Sequence, residues 1–127
     1  MDKERYERGM KLRREVMGDA HVDRSLAAAD ELTRPLQDLV IEIGWGEIWA
    51  RPGLEKRDRS LINIAMLTAL NRSTELEHHL RGALNNGVTP DEIVEVILQT
   101  AVYCGMPAAI DSMRKVKAVF EERGLSR

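Results

Sequence analysis

The stretch SLINIAMLTAL, residues 60–70, is apolar around almost the full circumference of the helix that its spacing predicts. We expect that helix to cover approximately residues 56–71. A helix that has no polar face is central in a domain or lies in a subunit interface. The stretch therefore predicts a helical domain that is organised around this segment.

The segments on both sides of this helix also have helical spacing, and none alternates polar and apolar residues over a useful length. The spacing predicts further helices at approximately 3–17, 23–32, 35–49, 73–84, 90–104 and 107–123. The predicted fold class is therefore all-α, a single-domain bundle of about six helices over residues 1–127. Two helices with more than one apolar face also predict a homo-oligomer.

Helix ends are marked most clearly around the stretch NNGVTPDE, residues 85–92. Gly87 can take the left-handed conformation that ends a helix. Thr89 is a suitable N-cap, Pro90 fits the first helical position, and Glu92 can complete a capping box.

The composition limits the function classes. Nineteen basic against twenty-one acidic residues give a formal charge of −2, which argues against a nucleic-acid partner. No apolar run is long enough for a membrane span, and MDKERYERGMKLRRE at the N-terminus lacks the apolar core of a signal peptide. We therefore expect a cytoplasmic protein. The single cysteine, Cys104, excludes an internal disulfide and a CxxC pair.

The stretch STELEHHLRGALNNG, residues 73–87, holds two adjacent histidines. At about 100° per residue, His79 lies at the margin of the apolar stripe and His78 points almost the opposite way. Glu75 precedes His79 by one helical turn, so the two side chains can touch. That pair fits either a structural contact or an acid–base site. A zinc site needs histidines four residues apart, and we expect no metal here.

Two other stretches could bind a ligand. RPGLEKRDRSL, residues 51–61, brings basic side chains to a helix start, which suits either an anion site or a solvated loop. Trp45 and Trp49, four residues apart, fit the core, an interface or the walls of a site for a planar ligand.

Three stretches together resemble the carboxymuconolactone decarboxylase family: GDAHVDRS (18–25), WGEIWARPGLEKRDRSLINIAMLTALNR (45–72) and ELEHHLRGALNNGVTPDEIVEVILQTAVYCGMPAA (75–109). The resemblance covers nearly the whole chain in order, and HLRGALNNGVT is its most specific part. It implies the alkylhydroperoxidase-D-like fold, a ring-shaped hexamer or related oligomer, and an enzyme without a cofactor. The implied reaction is decarboxylation of 4-carboxymuconolactone, a small dicarboxylate lactone, to the 3-oxoadipate enol-lactone in protocatechuate catabolism.

Position by position, the resemblance implies roles for five residues. His79 falls on the family's active-site histidine, and we expect it to donate a proton, with Glu75 orienting its ring. Arg51 matches the family's RPGL, and Arg59 and Ser60 match its RSL, so we expect these three residues to bind the substrate.

The resemblance also separates this chain from neighbouring activities. The peroxidase branch has the two cysteines of a CxxC at positions 72 and 75, where this chain has arginine and glutamate. That dithiol chemistry is therefore excluded. Ile110 and Arg114 replace an asparagine and a histidine of the family pattern. A decarboxylase or lactone-processing enzyme with another substrate is one alternative, and a non-enzymatic helical scaffold or helix-turn-helix protein is another.

Overall fold

The computed structural model describes residues 1–125, which form seven α-helices and one π-helix. The all-α fold class is confirmed, and the predicted number of about six helices was low. The helices are α1 Lys3–Met17, α2 Asp19–Ala28, α3 Arg34–Leu39, the π-helix Val40–Trp49, α4 Lys56–Ala69, α5 Ser73–Asn85, α6 Pro90–Tyr103 and α7 Met106–Glu122. The prediction of one domain over residues 1–127 includes 126 and 127, which lie outside the described residues, and it stays a prediction.

The chain divides into two compact units, residues 1–55 and the part that begins at Lys56. In the first unit, α1 packs against the π-helix. A Cβ atom added at Gly46 would lie 2.2 Å from the carbonyl oxygen of Arg5, and one added at Gly9 would lie 2.0 Å from that of Ile41. Because no side chain fits in either space, the two glycines allow the backbones to meet directly. The buried residues beside this crossing are Leu12, Val16 and Trp45.

The second helix begins and ends earlier than predicted, since it covers Asp19–Ala28 rather than 23–32. Gly18 has a φ of 89°, which lets the chain turn at once after α1, so α2 starts at the next residue. Asp30 and Thr33 then hydrogen-bond to each other's backbone N–H groups at 3.0 Å. This local turn replaces the predicted last turn of helix.

The bounds of the helix predicted at 35–49 are nearly those observed, since α3 continues without a break from Arg34 into the π-helix Val40–Trp49, but the change to π-helical bonding was not predicted. A π-helix bonds residue i to i+5 and is rare, and the α-helical spacing of the apolar residues does not indicate it.

The second unit consists of α4 to α7. Its buried core includes Ile64, Leu76, Leu80, Ile93, Ile97, Val116, Val119 and Phe120. Helix α4 contributes one buried face, and Ile62 and Met66 on its other side are 42% and 48% exposed. Helix α4 is apolar on nearly all sides, and the second unit therefore buries only part of its apolar surface.

The predicted junction between α5 and α6 is confirmed. Gly87 has a φ of 87°. The hydroxyl oxygen of Thr89 accepts from the N–H of Glu92 at 3.1 Å, and the Glu92 carboxylate accepts from the N–H of Thr89 at 3.0 Å. This capping box fixes the start of α6 at Pro90.

Large apolar side chains are exposed where α6 ends and α7 begins. We call Val102, Tyr103, Met106 and Ile110 the junction patch; Val102 is 74% exposed and Tyr103 is 82% exposed. Among the described residues, no helix is both long enough and apolar enough to cross a membrane.

Candidate active site

His79 lies half-buried on α5, beside a polar side chain of α4. The amide nitrogen Nδ2 of Asn63 is 3.3 Å from Nδ1 of His79, and Asn63 is also half-buried. Asn63 was not among the site residues predicted from the sequence. A signal was present, because Asn63 is an amide within the otherwise apolar SLINIAMLTAL, and a polar group on such a helix needs a hydrogen-bond partner.

A second polar contact joins α4 to Asn86, the residue that follows α5. Nδ2 of Asn86 donates to Oγ of Ser60 at 2.9 Å. Ser60 is 0% exposed, so its hydroxyl lies within the packing of α4 and α5. Because α4 begins at Lys56, the amides of its first turn come before Ser60. An anion at this helix start would therefore meet the amides of residues 56–58.

The two adjacent histidines have different surroundings, as the helix geometry predicts. Nδ1 of His78 lies 3.4 Å from Nη1 of Arg81. Arg81 also donates to Glu77 on its own helix at 3.1 Å and to Glu122 on α7. The hydrogen bond to Glu122 raises the pKa of Arg81. His78 thus contacts a charged network, and one contact of His79 is the Asn63 amide.

Glu75 is exposed on α5, one helical turn before His79. The contact that the structure gives for Nδ1 of His79 is the Asn63 amide. The catalytic role assigned to Glu75 and His79 stays a prediction, with Asn63 added beside them.

The predicted anion-binding arginines lie in different units. Arg59 precedes Asn63 by one turn of α4, so the two share a flank of that helix. Arg59 is half-buried, and its Nε atom is buried. Arg51 is exposed and belongs to the first unit. On the second unit, the structure therefore brings Arg59, Asn63 and His79 to neighbouring positions.

Trp45 and Trp49 stack on each other, with ring centroids 4.6 Å apart and ring planes inclined by 23°. Trp45 is 5% exposed and lies in the core of the first unit. Because the rings stack at this distance, the pair is a core contact, and their facing surfaces leave no room for a planar molecule between them.

The second unit also has an apolar cleft of about 430 Å³ between α4 and α6, lined by residues that include Ala65, Val96, Tyr103 and Cys104. Ala65 follows Asn63 by two residues, roughly 200° around the helix, so the cleft lies on another flank of α4 than His79. Within residues 1–125, no three His, Cys, Asp or Glu side chains are grouped so that they could hold a metal ion.

Comparisons with known proteins support the resemblance. The chain is 43% identical over 125 residues to a protein of Acinetobacter baylyi named 4-carboxymuconolactone decarboxylase, covering 98% of this chain and 93% of the relative. It is 44% identical over 108 residues to Nitrosuccinic acid decarboxylase npaB of Metarhizium robertsii, covering 85% and 76%. A 4-carboxymuconolactone decarboxylase of Pseudomonas putida is 39% identical over 46 residues, which are 36% of this chain and 96% of that sequence.

A model of a protein family also matches the chain. Residues 34–118 match the model described as the carboxymuconolactone decarboxylase family. That range runs from the start of α3 into α7 and contains Asn63 and His79. The chain belongs to the carboxymuconolactone decarboxylase family.

Proposed function

We propose that this chain decarboxylates 4-carboxymuconolactone to the 3-oxoadipate enol-lactone without a cofactor, with His79 as the proton donor. One observation carries the proposal: the half-buried imidazole of His79 contacts Asn63, which lies one turn of α4 from Arg59, in a chain 43% identical to a protein named for this reaction.

The chemistry of this substrate suits a site made of side chains alone. When the bond to the departing CO₂ breaks, its electron pair spreads through the ring double bond into the lactone carbonyl. A proton then adds to carbon and gives the enol-lactone. Because the substrate accepts the electron pair itself, the reaction does not require a metal or an organic electron sink. The protein must hold the dianion and supply one proton.

We propose that His79 supplies that proton. The charged imidazole gives one proton to the substrate carbon, becomes neutral, and is recharged from solvent. Histidine is the side chain that most often serves as a general acid in enzymes. We propose that Glu75, on the same flank of α5, favours the charged form.

The other proposed contacts hold the carboxylates and the developing oxyanion. Arg59 is the first of them, because its flank of α4 also carries Asn63. Arg51 belongs to the first unit, and its predicted role in substrate binding stays a prediction. Ser60 was expected to bind substrate, but its buried hydroxyl favours an indirect role, in which its bond with Asn86 fixes α4 against α5.

A second substrate is favoured by a specific comparison. The relative named nitrosuccinic acid decarboxylase is 44% identical to this chain. Nitrosuccinic acid also carries two carboxylates, and its nitro group can accept the electron pair after loss of CO₂, as a nitronate. The same arrangement of cations and proton donor would serve both molecules, and only a direct comparison of the two substrates separates them.

The test uses the purified chain and its two adjacent histidines as a matched pair. We expect CO₂ release from 4-carboxymuconolactone to exceed that from nitrosuccinate. His79→Gln should lower kcat by about 100-fold or more, the usual contribution of a positioned general acid. His78→Gln should leave kcat close to that of the unmodified chain, with folding checked by circular dichroism. Undiminished turnover in His79→Gln would refute the proton-donor role, and no turnover of the lactone by the unmodified chain would refute the proposed substrate.

We further propose a homo-oligomer, most simply the hexamer that the family resemblance implies. The junction patch supports this proposal, because soluble proteins rarely leave large apolar side chains grouped in water. A cytoplasmic location is also proposed. Cys104 is a free and exposed thiol, which persists in a reducing compartment.

A further inference from the structure

We propose that Asn63 is the positioning residue of His79. It occupies Nδ1 of the imidazole in both protonation states, so that proton transfer to the substrate takes place at Nε2. The identity of the reaction rests on the proposed function, whereas the state of the imidazole ring can be measured without any substrate.

The first step is the direction of the hydrogen bond. The group of Asn63 that faces Nδ1 of His79, at 3.3 Å, is its NH₂. In this orientation of the amide, the NH₂ donates and Nδ1 accepts. A neutral imidazole has one donor and one acceptor nitrogen, and its proton therefore lies on Nε2 in this arrangement.

In the charged ring of His79, both nitrogens carry protons. Rotation of the Asn63 amide by half a turn presents its carbonyl oxygen to Nδ1, which then donates. Asparagine can make this exchange because its side chain holds a donor and an acceptor on one group. A carboxylate only accepts, and leucine does neither. Asn63 can thus remain bound to Nδ1 throughout the cycle.

Because Asn63 stays bound to Nδ1, the transferred proton is the one on Nε2. The charged His79 gives the Nε2 proton to the substrate carbon, where the electron pair left by the departing CO₂ forms the new C–H bond. Directly after the transfer, the neutral ring keeps its other proton on Nδ1, bonded to the Asn63 oxygen; at high pH, where the ring equilibrates with solvent and the amide NH₂ faces Nδ1, the proton lies on Nε2 instead. Uptake of one proton from solvent at Nε2 restores the charged ring.

If Asn63 had only a structural role, its replacement would have a different effect. Asn86 provides the comparison. Asn86 also donates an amide hydrogen bond across α4 and α5, at 2.9 Å to Ser60. If Asn63 only joined the helices, replacing either asparagine would have the same kind of effect. If Asn63 positions the ring, only its replacement should change His79.

Apart from the substituted position, the charges near His79 must be the same in all variants. Arg59 on α4 and Glu75 on α5 each lie one helical turn from the pair. Helix α7, which also packs on α5, directs Lys115 towards Glu77 at 3.7 Å. None of these residues is altered in the experiment, so a change at the ring reports on position 63.

The decisive measurement is ¹⁵N NMR of the histidine rings across pH in the full chain, with His79 signals assigned by their loss in His79→Gln. In the unmodified chain at high pH we expect the proton on Nε2. In Asn63→Asp the carboxylate accepts from Nδ1, so we expect the proton to move to Nδ1 and the pKa of His79 to rise. In Asn63→Leu we expect a mixture of the two neutral forms. In Asn86→Leu we expect a lower melting temperature and unchanged His79 signals.

Kinetics give the second measurement. Because the carboxylate in Asn63→Asp makes the charged ring a weaker acid, kcat at neutral pH should fall about tenfold with little change in KM. In the pH profile of kcat, the charged form of His79 should also persist to higher pH in Asn63→Asp than in the unmodified chain. The proposal is overturned if the position of the ring proton is the same in Asn63→Asp as in the unmodified chain. It is also overturned if Asn86→Leu changes the His79 signals as much as Asn63→Leu. If the chain turns over neither substrate, the NMR result still decides the role of Asn63, while the proposed function alone fails.

Discussion

Arg81 on α5 and Glu122 on α7 form a two-pronged ion pair, with Nε to Oε2 at 2.8 Å and Nη2 to Oε1 at 3.0 Å. Both prongs come from one planar guanidinium, so the pair fixes direction as well as distance. The Arg81 hydrogen bond holds the pKa of Glu122 below its ordinary value. The pair therefore ties the last turn of α7 to the helix that carries His79.

We expect Glu122→Gln to lower the melting temperature, because the charge-assisted pair is lost. The difference should shrink in high salt, since this pair is partly exposed. Glu121→Gln, the exposed neighbour, is the control and should change the melting temperature less. Equal effects of the two variants would show that the ion pair does not contribute.

The pH dependence of stability should report Glu92. A hydrogen bond from Arg57, followed by that from the Thr89 amide, lowers the pKa of Glu92 from 4.5 to about 2. A carboxyl group with a lowered pKa in the folded state stabilises the fold above its unfolded pKa, and this contribution is lost as pH falls towards the folded pKa. We therefore expect urea unfolding to show a loss of stability between these two values.

Glu92→Gln isolates that contribution, because glutamine can still complete the capping box. The variant should be less stable than the unmodified chain at pH 6, and the difference should narrow as pH approaches 2. A difference that does not depend on pH over this range would contradict the prediction.

Two glycines of the π-helix give a matched pair for the first unit. A Cβ at Gly46 would lie 2.2 Å from the Arg5 carbonyl oxygen, whereas one at Gly44 meets nothing within 4 Å. We expect Gly46→Ala to lower the free energy of unfolding by about 1–3 kcal/mol. Gly44→Ala should stay within about 0.5 kcal/mol of the unmodified chain. Chemical denaturation measures both, and equal values would show that the crossing adapts.

Arg59 should affect the use of substrate. Loss of a charge-assisted hydrogen bond costs about 1.5–3 kcal/mol, so Arg59→Gln should lower kcat/KM by about 10- to 100-fold. Arg114→Gln is the control, since that side chain on α7 is 74% exposed. Steady-state kinetics with the lactone decide the point. An unchanged kcat/KM in Arg59→Gln would remove Arg59 from the proposed anion site.

The junction patch should control assembly. Tyr103→Lys places a charge among exposed apolar side chains, so we expect it to reduce the mass of the oligomer measured by light scattering. Circular dichroism should show that the helices persist. An unchanged mass would mean that the subunits meet at another surface.

Local signals in the sequence predicted much of the fold. The α1 bounds, the left-handed Gly87 and the Thr89 capping box each depend on residues close together in the chain, and the structure has all three. The start of α2 was missed because the turn at Gly18 depends on one backbone conformation that many glycines can adopt. The π-helix was missed because its apolar residues follow an ordinary helical pattern.

The candidate site was predictable only in part. Helical angles within α5 separated His78 from His79, since that comparison needs a single helix. Asn63 could not be paired with His79 in this way, because the contact depends on how α4 packs against α5. The burial of Ser60 was missed for the same reason.

The π-helix is the segment of the first unit in which the number of residues could change. Its bonds span five residues where an α-helix spans four, so the segment holds one residue more per bonded turn than an α-helix would. A deletion at Gly44, where open space surrounds the Cβ position, could be absorbed by a return to α-helical bonding. The direction of every residue after it would then change, including the face that Trp45 turns to Trp49. A change in loop length elsewhere would leave the Trp45–Trp49 stack intact. A deletion in the π-helix would show whether the first unit depends on that stack or on the helix register.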